Sequence, residues 1–554
     1  MRRALTPLVY LLTCLCWGQD LPNIQMAQRF IEHAGQEKTY IGQLRVSRRE
    51  ATRRKRLVRP INTANDDDWA FDIGSNGPAA GAATFYAAGS TPTCDDWIAF
   101  VIDAQGTSAQ ANLVFLKNLY VNSGGTGFCS GTAPVVMAAY NVGASVTNNR
   151  LAPSIWVNFA GTKAVVLEKG TGSATPAKVH VITVGTGGTV SAPIAPTETT
   201  LSYTTGGTAN CASATGNSAS ADLSIWHASS HIYVGDNSGR LYQLGNAFSS
   251  PTINFCTTLA PSTKITDLVP DEGPIPTYVT VVLAGRVLRQ VDGSSGTSFT
   301  PRWNHAVSST TNSITDYILV DGGLNRIYLV SNQDSTGTNA VLEQWDYSGT
   351  LNSTVVLGPA SSQQIAAPIW DHNYSFNVNA SATLYFCTYP LGALGTPTFA
   401  DVAFDSSWNM NSTPTMSGNT NILPPLAVPG TVCNPSFGIY EDDSTSPKHR
   451  IDIITGVGTG SNLNPNQVSR WRIQTSSANL SPITSSSTAP NASVTGNNGS
   501  VGGFTNPIGD WQDSTLGSNT FNIYFGSLAP QVLTRGGCAI GSYCFVKLQV
   551  GGLN

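Results

Sequence analysis

The chain has 554 residues, of which 41% are apolar and only 11% are charged, and it carries 54 Gly and 31 Pro. This apolar content excludes a disordered polymer, and the wealth of chain-bending residues excludes a fold built from long helices. A formal net charge of −4 argues against nucleic-acid binding, which needs positive charge clustered over the body of the protein.

Residues 1–18 open with Met1-Arg2-Arg3 and continue as an apolar run to Cys16, too short to span a bilayer comfortably. They read as a secretory signal peptide, with Cys16 and Gly18 as the small residues before a cut after Gly18. Leu11-Leu-Thr-Cys14 loosely resembles a lipoprotein signal, to which Thr13 is a poor fit. No later run reaches about 18 apolar residues, so no transmembrane segment is expected after signal removal. The expected location is secreted or extracytoplasmic: periplasm, cell surface or extracellular space.

Residues 19–75 read as a basic leader, partly helical or disordered, with one short helix expected from Ile24 to Ile31. Residues 1–59 hold 12 Lys or Arg and 4 Asp or Glu, whereas residues 60–554 hold 17 and 29, so a basic leader precedes an acidic body. Three readings stay open for it: a propeptide cut near Arg53-Arg-Lys-Arg56, a tether to an anionic surface, or a solvated arm lying on the body. The solvated arm is the plainest.

From residue 76 to 554 the pattern is short strands and turns. In Ile232-Tyr-Val-Gly-Asp-Asn-Ser-Gly-Arg-Leu-Tyr-Gln-Leu244, two apolar runs flank a turn in which Gly239 supplies a positive φ. Strand starts recur at Ser154-Ile-Trp156, Ser224-Ile-Trp226, Ile265-Thr-Asp267, Ile314-Thr-Asp316 and Pro368-Ile-Trp370, at intervals of 70, 40, 49 and 55 residues. Asp96-Trp-Ile-Ala-Phe100, Ser436-Phe-Gly-Ile-Tyr440 and Gly509-Asp-Trp511 are further candidate starts. The second half of the unit recurs as Val287-Leu-Arg-Gln-Val-Asp292, Val341-Leu-Glu-Gln-Trp-Asp346 and, more weakly, Val468-Ser-Arg-Trp-Arg-Ile473. One small sheet cannot hide both its faces, whereas a ring of sheets covers them and leaves short edges. The predicted fold is therefore all-β: a single β-propeller of seven or eight four-stranded blades.

The Tyr233–Tyr242 segment, and Val291-Asp-Gly-Ser-Ser-Gly296 with Trp303 after it, resemble repeats of the PQQ-like and YVTN-like β-propeller superfamily. The resemblance covers roughly residues 80–550 as architecture, with two or three blades matching closely. Its members include quinoprotein dehydrogenases, outer-membrane assembly scaffolds and secreted proteins. The dehydrogenases carry a vicinal Cys-Cys beside the cofactor, and this chain has no adjacent cysteines, so no quinone or other cofactor is expected.

Beyond the signal, Cys94, Cys129, Cys211, Cys256, Cys387, Cys433, Cys538 and Cys544 form an even set in a chain that reads as exported, which favours disulfides. Sequential pairing, 94 with 129, 211 with 256, 387 with 433 and 538 with 544, suits local stapling of neighbouring strands.

No catalytic, cofactor-binding or metal residue is assigned from the sequence. His227 and His231 are four apart in a β context, where that spacing brings no convergence, and His372 sits at nearly the same blade position. Asp66 to Asp68, Asp95-Asp96, Asp271-Glu272 and Glu441-Asp442-Asp443 read as solvated turns, because none follows a calcium-loop order. Exposed aromatic residues such as Trp408 or Trp511 would suit stacking on sugars or peptides. Asn352, Asn373, Asn379, Asn411, Asn479, Asn491 and Asn498 begin N-x-S/T sequons. The functional expectation is a secreted, non-enzymatic binding or surface-interaction module whose partner is a surface polysaccharide or a protein. The alternatives are a carbohydrate-active hydrolase or lyase with carboxylates from different blades, and a structural envelope scaffold.

Overall fold

A computed structural model describes residues 69–550 apart from connecting stretches, of which 205–217, 372–382, 417–431 and 475–491 are the longest; across 361–400 and 411–504 the description is of backbone. The signal and the basic leader, including the expected helix, lie outside the described residues.

Eight antiparallel sheets are present among these residues. Blades 1 to 7 each come from one continuous stretch: 79–140, 156–202, 224–258, 265–306, 319–359, 369–416 and 432–495. Blade 7 carries a short fifth strand, Val432–Cys433, beside Phe437–Asp443 on the same partner, Lys448–Gly458. Blade 8 combines Ile508–Asp510, Phe521–Gly526 and Tyr543–Val550 with Trp69–Gly74 from the other end of the chain. Trp69 lies opposite Lys547, and the Trp69 indole donates to the Leu119 carbonyl in blade 1 at 3.1 Å. The sheet thus begins ahead of residue 76, where the sequence places the start of the propeller.

First strands of neighbouring blades meet one another: Ala79–Tyr86 touches Trp156–Val157 and Ile508–Asp510, Ser224–Trp226 touches Ile265–Glu272, and Phe437–Asp443 touches both Ile369–Asp371 and Ile508–Asp510. That places first strands at the axis. Apolar cores fill the joints 8–1, 1–2, 2–3, 3–4 and 4–5. Tyr328 and Phe404 meet edge to face at 5.8 Å across joint 5–6, and first strands close the remaining two. The protein is an eight-bladed β-propeller.

Period-two alternation explains why its strands read as continuous apolar runs. In Trp97–Ile102, residues Ile98, Phe100 and Ile102 enter the core shared with blade 8, while Trp97, Ala99 and Val101 enter the one shared with blade 2. Fully burying each larger side chain contributes about 1.5–3 kcal/mol, so a strand covered on both faces is stabilised twice over.

The hairpin expected at Ile232–Leu244 forms as the second and third strands of blade 3, with Gly239 at φ 77°. Two expected starts shift. Asp96-Trp-Ile leads into the second strand of blade 1, because the first is the small-residue run Ala79–Tyr86. Ile314 precedes the first strand of blade 5, which is Leu319–Asp321.

The recurring third-strand segments share a hydrogen-bond pattern. Third strands of blades 3, 4 and 5 carry Leu-x-Gln, at Gln243, Gln290 and Gln344, and each Gln lies opposite a hydroxyl on the second strand. Gln243 donates to the Tyr233 hydroxyl at 2.9 Å, Gln290 to Thr280 at 3.4 Å and Gln344 to Tyr328 at 3.1 Å. Each Gln carbonyl then accepts from the fourth strand, from Asn254, Arg302 and Ser353 respectively. Buried amides satisfied on both sides fix the register of three strands at once.

Candidate functional site

In an antiparallel meander, turns 1–2 and 3–4 of every blade emerge on one face of the disc and turns 2–3 on the other. At the joint of blades 4 and 5, on the 1–2 and 3–4 side, aromatic and charged groups from five strands and turns converge.

The fourth strand of blade 4, Thr300–Ala306, alternates and turns Trp303 and His305 toward blade 5. Both are half-buried and cover Trp345, which is 6% exposed. His305 stacks on Trp345 at 4.6 Å, Trp303 on Trp345 at 6.5 Å, and Trp303 and His305 lie 5.5 Å apart. The Trp303 indole donates to the Tyr347 carbonyl at 3.0 Å, which sets its ring angle. Gly349, at φ 86°, makes room: a Cβ there would come within 2.7 Å of Trp303 Cγ and 3.0 Å of His305 Nε2.

Beside this platform, the Tyr347 hydroxyl donates to Asp271 at 2.6 Å, and Tyr347 packs edge-on against Tyr278 at 5.7 Å. Arg302, displaced by a bulge between Gln290 and Val291, lays its guanidinium 3.9 Å above the Tyr278 ring and donates to Gln290. Beneath the platform, Trp345 Nε1 donates to Glu343 at 2.8 Å. Burial pushes the Glu343 carboxyl up to about 7, against the opposing effect of that bond. The site therefore offers fixed aromatic faces, one engaged carboxylate, one engaged guanidinium and one buried acid.

Most other prominent acids are consumed by backbone. Asp236, Asp334, Asp346 and Asp405 each accept amide bonds from the residues two and four further along, at 2.8–3.1 Å. Burial works against ionisation of Asp334, but the bonds from Thr338, Thr336 and Asn339 hold it down at about 2. Asp96 is fully buried and accepts from Ala88, Thr93 and the Tyr120 hydroxyl, so it organises a loop. Asp95 is exposed, in keeping with a solvated turn.

A second buried charge cluster lies in blade 2. His180, 2% exposed, bonds Glu168 at 2.9 Å through Nε2 and Glu198 at 2.8 Å through Nδ1, with Lys178 at 3.8 Å from Glu168. Burial disfavours the imidazolium, but the two glutamates outweigh it and raise the His180 pKa.

No family model matches the chain, and no curated protein matches it in sequence. Among solved structures it is similar to Saccharomyces cerevisiae Sqt1, at 9% identity over 89% of this chain and 100% of that one, with a TM-score of 0.47. It is also similar to BamB from Moraxella catarrhalis, at 12% identity over 86% and 98%, with a TM-score of 0.40. The propeller assignment rests on the sheet order and the eight closed joints.

Of the residues singled out in sequence, His231 pairs with Trp226 across a strand and meets Tyr233 edge-on at 6.4 Å, while His227 and His372 lie outside the described residues. Trp408 stands in the 3–4 turn of blade 6 at φ 62°, its carbonyl accepting from Gln344. Trp511 and Asp66 to Asp68 lie outside the described residues, as do all the sequons except Asn352, whose side-chain nitrogen is buried. Glu441, Asp442 and Asp443 occupy the first strand of blade 7, opposite Arg450, His449 and Lys448. Two disulfides form as expected, Cys94–Cys129 and Cys538–Cys544, and Cys256 is also disulfide-bonded. Among the described residues no group of three or more His, Cys, Asp or Glu is placed to hold a metal, and no helix is long and apolar enough to cross a membrane. The platform is not legible in sequence, since Trp303 and His305 come from blade 4 and Trp345 from blade 5; the Trp-x-His alternation at 303–305 is the available signal.

Proposed function

We propose that the protein is an extracytoplasmic propeller that acts by binding, as a surface-interaction module, and that its contact face is the joint of blades 4 and 5. The observation that carries this reading is the platform: Trp303 and His305 are held by Trp345, by the Tyr347 carbonyl and by the space at Gly349. Preorganised aromatic groups bind with little loss of side-chain freedom. Export is supported by the signal-like start and by two disulfides. Kinship with PQQ-like and YVTN-like repeats, the processing of residues 1–18 and a basic leader ahead of Trp69 belong to the same reading.

The test is saturable binding of purified, labelled protein to isolated cell-envelope material, compared with Trp303→Ala. Binding weakened by the substitution supports the reading; equal retention of both proteins overturns the assignment of the face.

One observation favours a second reading. Asp271 and Glu343 come from different blades and border the same cluster, and an acid titrating at about 7 suits general-acid chemistry. Turnover of glycosides by the wild type that Glu343→Gln abolishes would put a hydrolase in place of the binding module.

A further inference from the structure

The proposed binding role leaves the chemical class of ligand open, and the polar groups around the platform narrow it. We infer that the Trp303–His305 face binds a neutral polysaccharide, stacking sugar rings on the two side chains. This inference rests on the reading of the blade 4–5 joint as a binding face.

Three observations carry it. First, the rings are fixed side by side, half-buried, near-parallel to Trp345 and against the Gly349 turn, and their exposed parts suit a planar apolar surface. The C–H faces of a pyranose form such a surface, polarised to meet the negative face of an aromatic ring. Apolar side chains of a protein partner would instead be received by a pocket, where anchor residues desolvate fully.

Second, the charged groups are engaged. Arg302 is divided between the Tyr278 ring and Gln290, and Asp271 accepts from Tyr347. Their partners here are neutral and both charges persist, but one is positive and the other negative, so neither an acidic polymer nor a basic peptide meets a cluster of opposite charge in these two groups.

Third, two neutral and exposed groups lie in the turn that meets the rings, Ser348 and Thr350 on either side of Gly349. Hydroxyl groups can both donate and accept, which matches the many hydroxyls of a neutral sugar. Because Thr300–Ala306 is the last strand of its blade, the platform lies toward the rim of the disc, where a long chain can pass across it without entering the central channel.

The experiment is affinity electrophoresis and calorimetry of the full chain with soluble mixed-linkage glucan, xylan and galactomannan, followed by tryptophan fluorescence. The expected result is saturable binding to at least one polymer with a fluorescence change. Trp303→Ala should weaken it by about tenfold or more and His305→Ala by several-fold, as expected for central aromatic contacts. Phe159→Ala, at a ring 52% exposed in blade 2, should leave it unchanged. Circular dichroism checks folding, and if Trp303→Ala fails to fold, His305→Ala decides.

Failure of the folded wild type to bind any of these polymers overturns the inference, as does binding that neither platform substitution weakens. Capture of a protein partner that Trp303→Ala releases, without polysaccharide binding, overturns the ligand class while leaving the binding face standing.

Discussion

Gln243 reaches across blade 3 to donate to the hydroxyl of Tyr233, its direct cross-strand partner, and the same pairing joins Gln344 to Tyr328 two blades on. Gln243→Leu should remove its buried bond to the Tyr233 hydroxyl, at about 0.5–1.5 kcal/mol, together with the bond from the exposed Asn254. Tyr233→Phe with Gln243→Leu should cost less than the sum of the two singles. Chemical denaturation of the four proteins in a double-mutant cycle checks this.

Gly349→Ala places a methyl group against Trp303 at a positive φ, so the turn or the ring must shift. We expect a loss of about 1–3 kcal/mol and a displaced tryptophan emission. An unchanged spectrum and an unchanged melting temperature would contradict the packing described for the platform.

Two buried groups make stability depend on pH in the same direction. Glu343 has a folded pKa of about 7 against an ordinary 4.5, so the native state binds the extra proton between these values and loses stability as pH rises through them. Glu343→Gln should remove that decline and stabilise the protein at pH 8 by up to about 3 kcal/mol. His180 has a raised folded pKa, so its contribution is fully present below the ordinary 6.5 and lost as pH climbs through the raised value. Melting temperatures should fall as pH rises from 5 to 9, and His180→Gln should abolish part of the fall above about 6.5. A flat profile for the wild type would refute both assignments.

Ring closure depends on Trp69, which is 4% exposed and fixed by its bond to Leu119. A chain beginning at residue 60 should melt like the full chain, whereas one beginning at residue 76 lacks the fourth strand of blade 8 and should melt lower and less cooperatively. Within the full chain, Trp69→Ala should cost about 3–5 kcal/mol. Differential scanning calorimetry distinguishes these cases.

The architecture was legible where one element carries its own signal. Ile232–Leu244 shows a hairpin because strand, turn and strand are adjacent, and Ser224-Ile-Trp226 marks a first strand because an aromatic residue ends it. Ala79–Tyr86 has little bulk before its final Phe85-Tyr86, so the stronger run after Asp96 reads as the blade start. The platform was invisible for a different reason: His305 and Trp345 stack at 4.6 Å although 40 residues separate them, and no local pattern records a joint between blades. The acids were less legible: Asp96 is fully buried, and Asp271 and Glu441 to Asp443 lie in strands, whereas the turn-closing acids Asp236, Asp334, Asp346 and Asp405 share Ser or Thr two residues on and Gly or Trp three on.

Trp69–Gly74 leaves the ribosome well before its partner Tyr543–Val550 is made. Until then the early strand has no mate, and blades 1 to 7 can assemble only as an open arc with two raw edges. The entropy of joining such distant segments grows only logarithmically with the loop between them, so closure is slow to become possible without being costly once it is. The two edges of that arc stay open to pairing with other strands until blade 8 is completed.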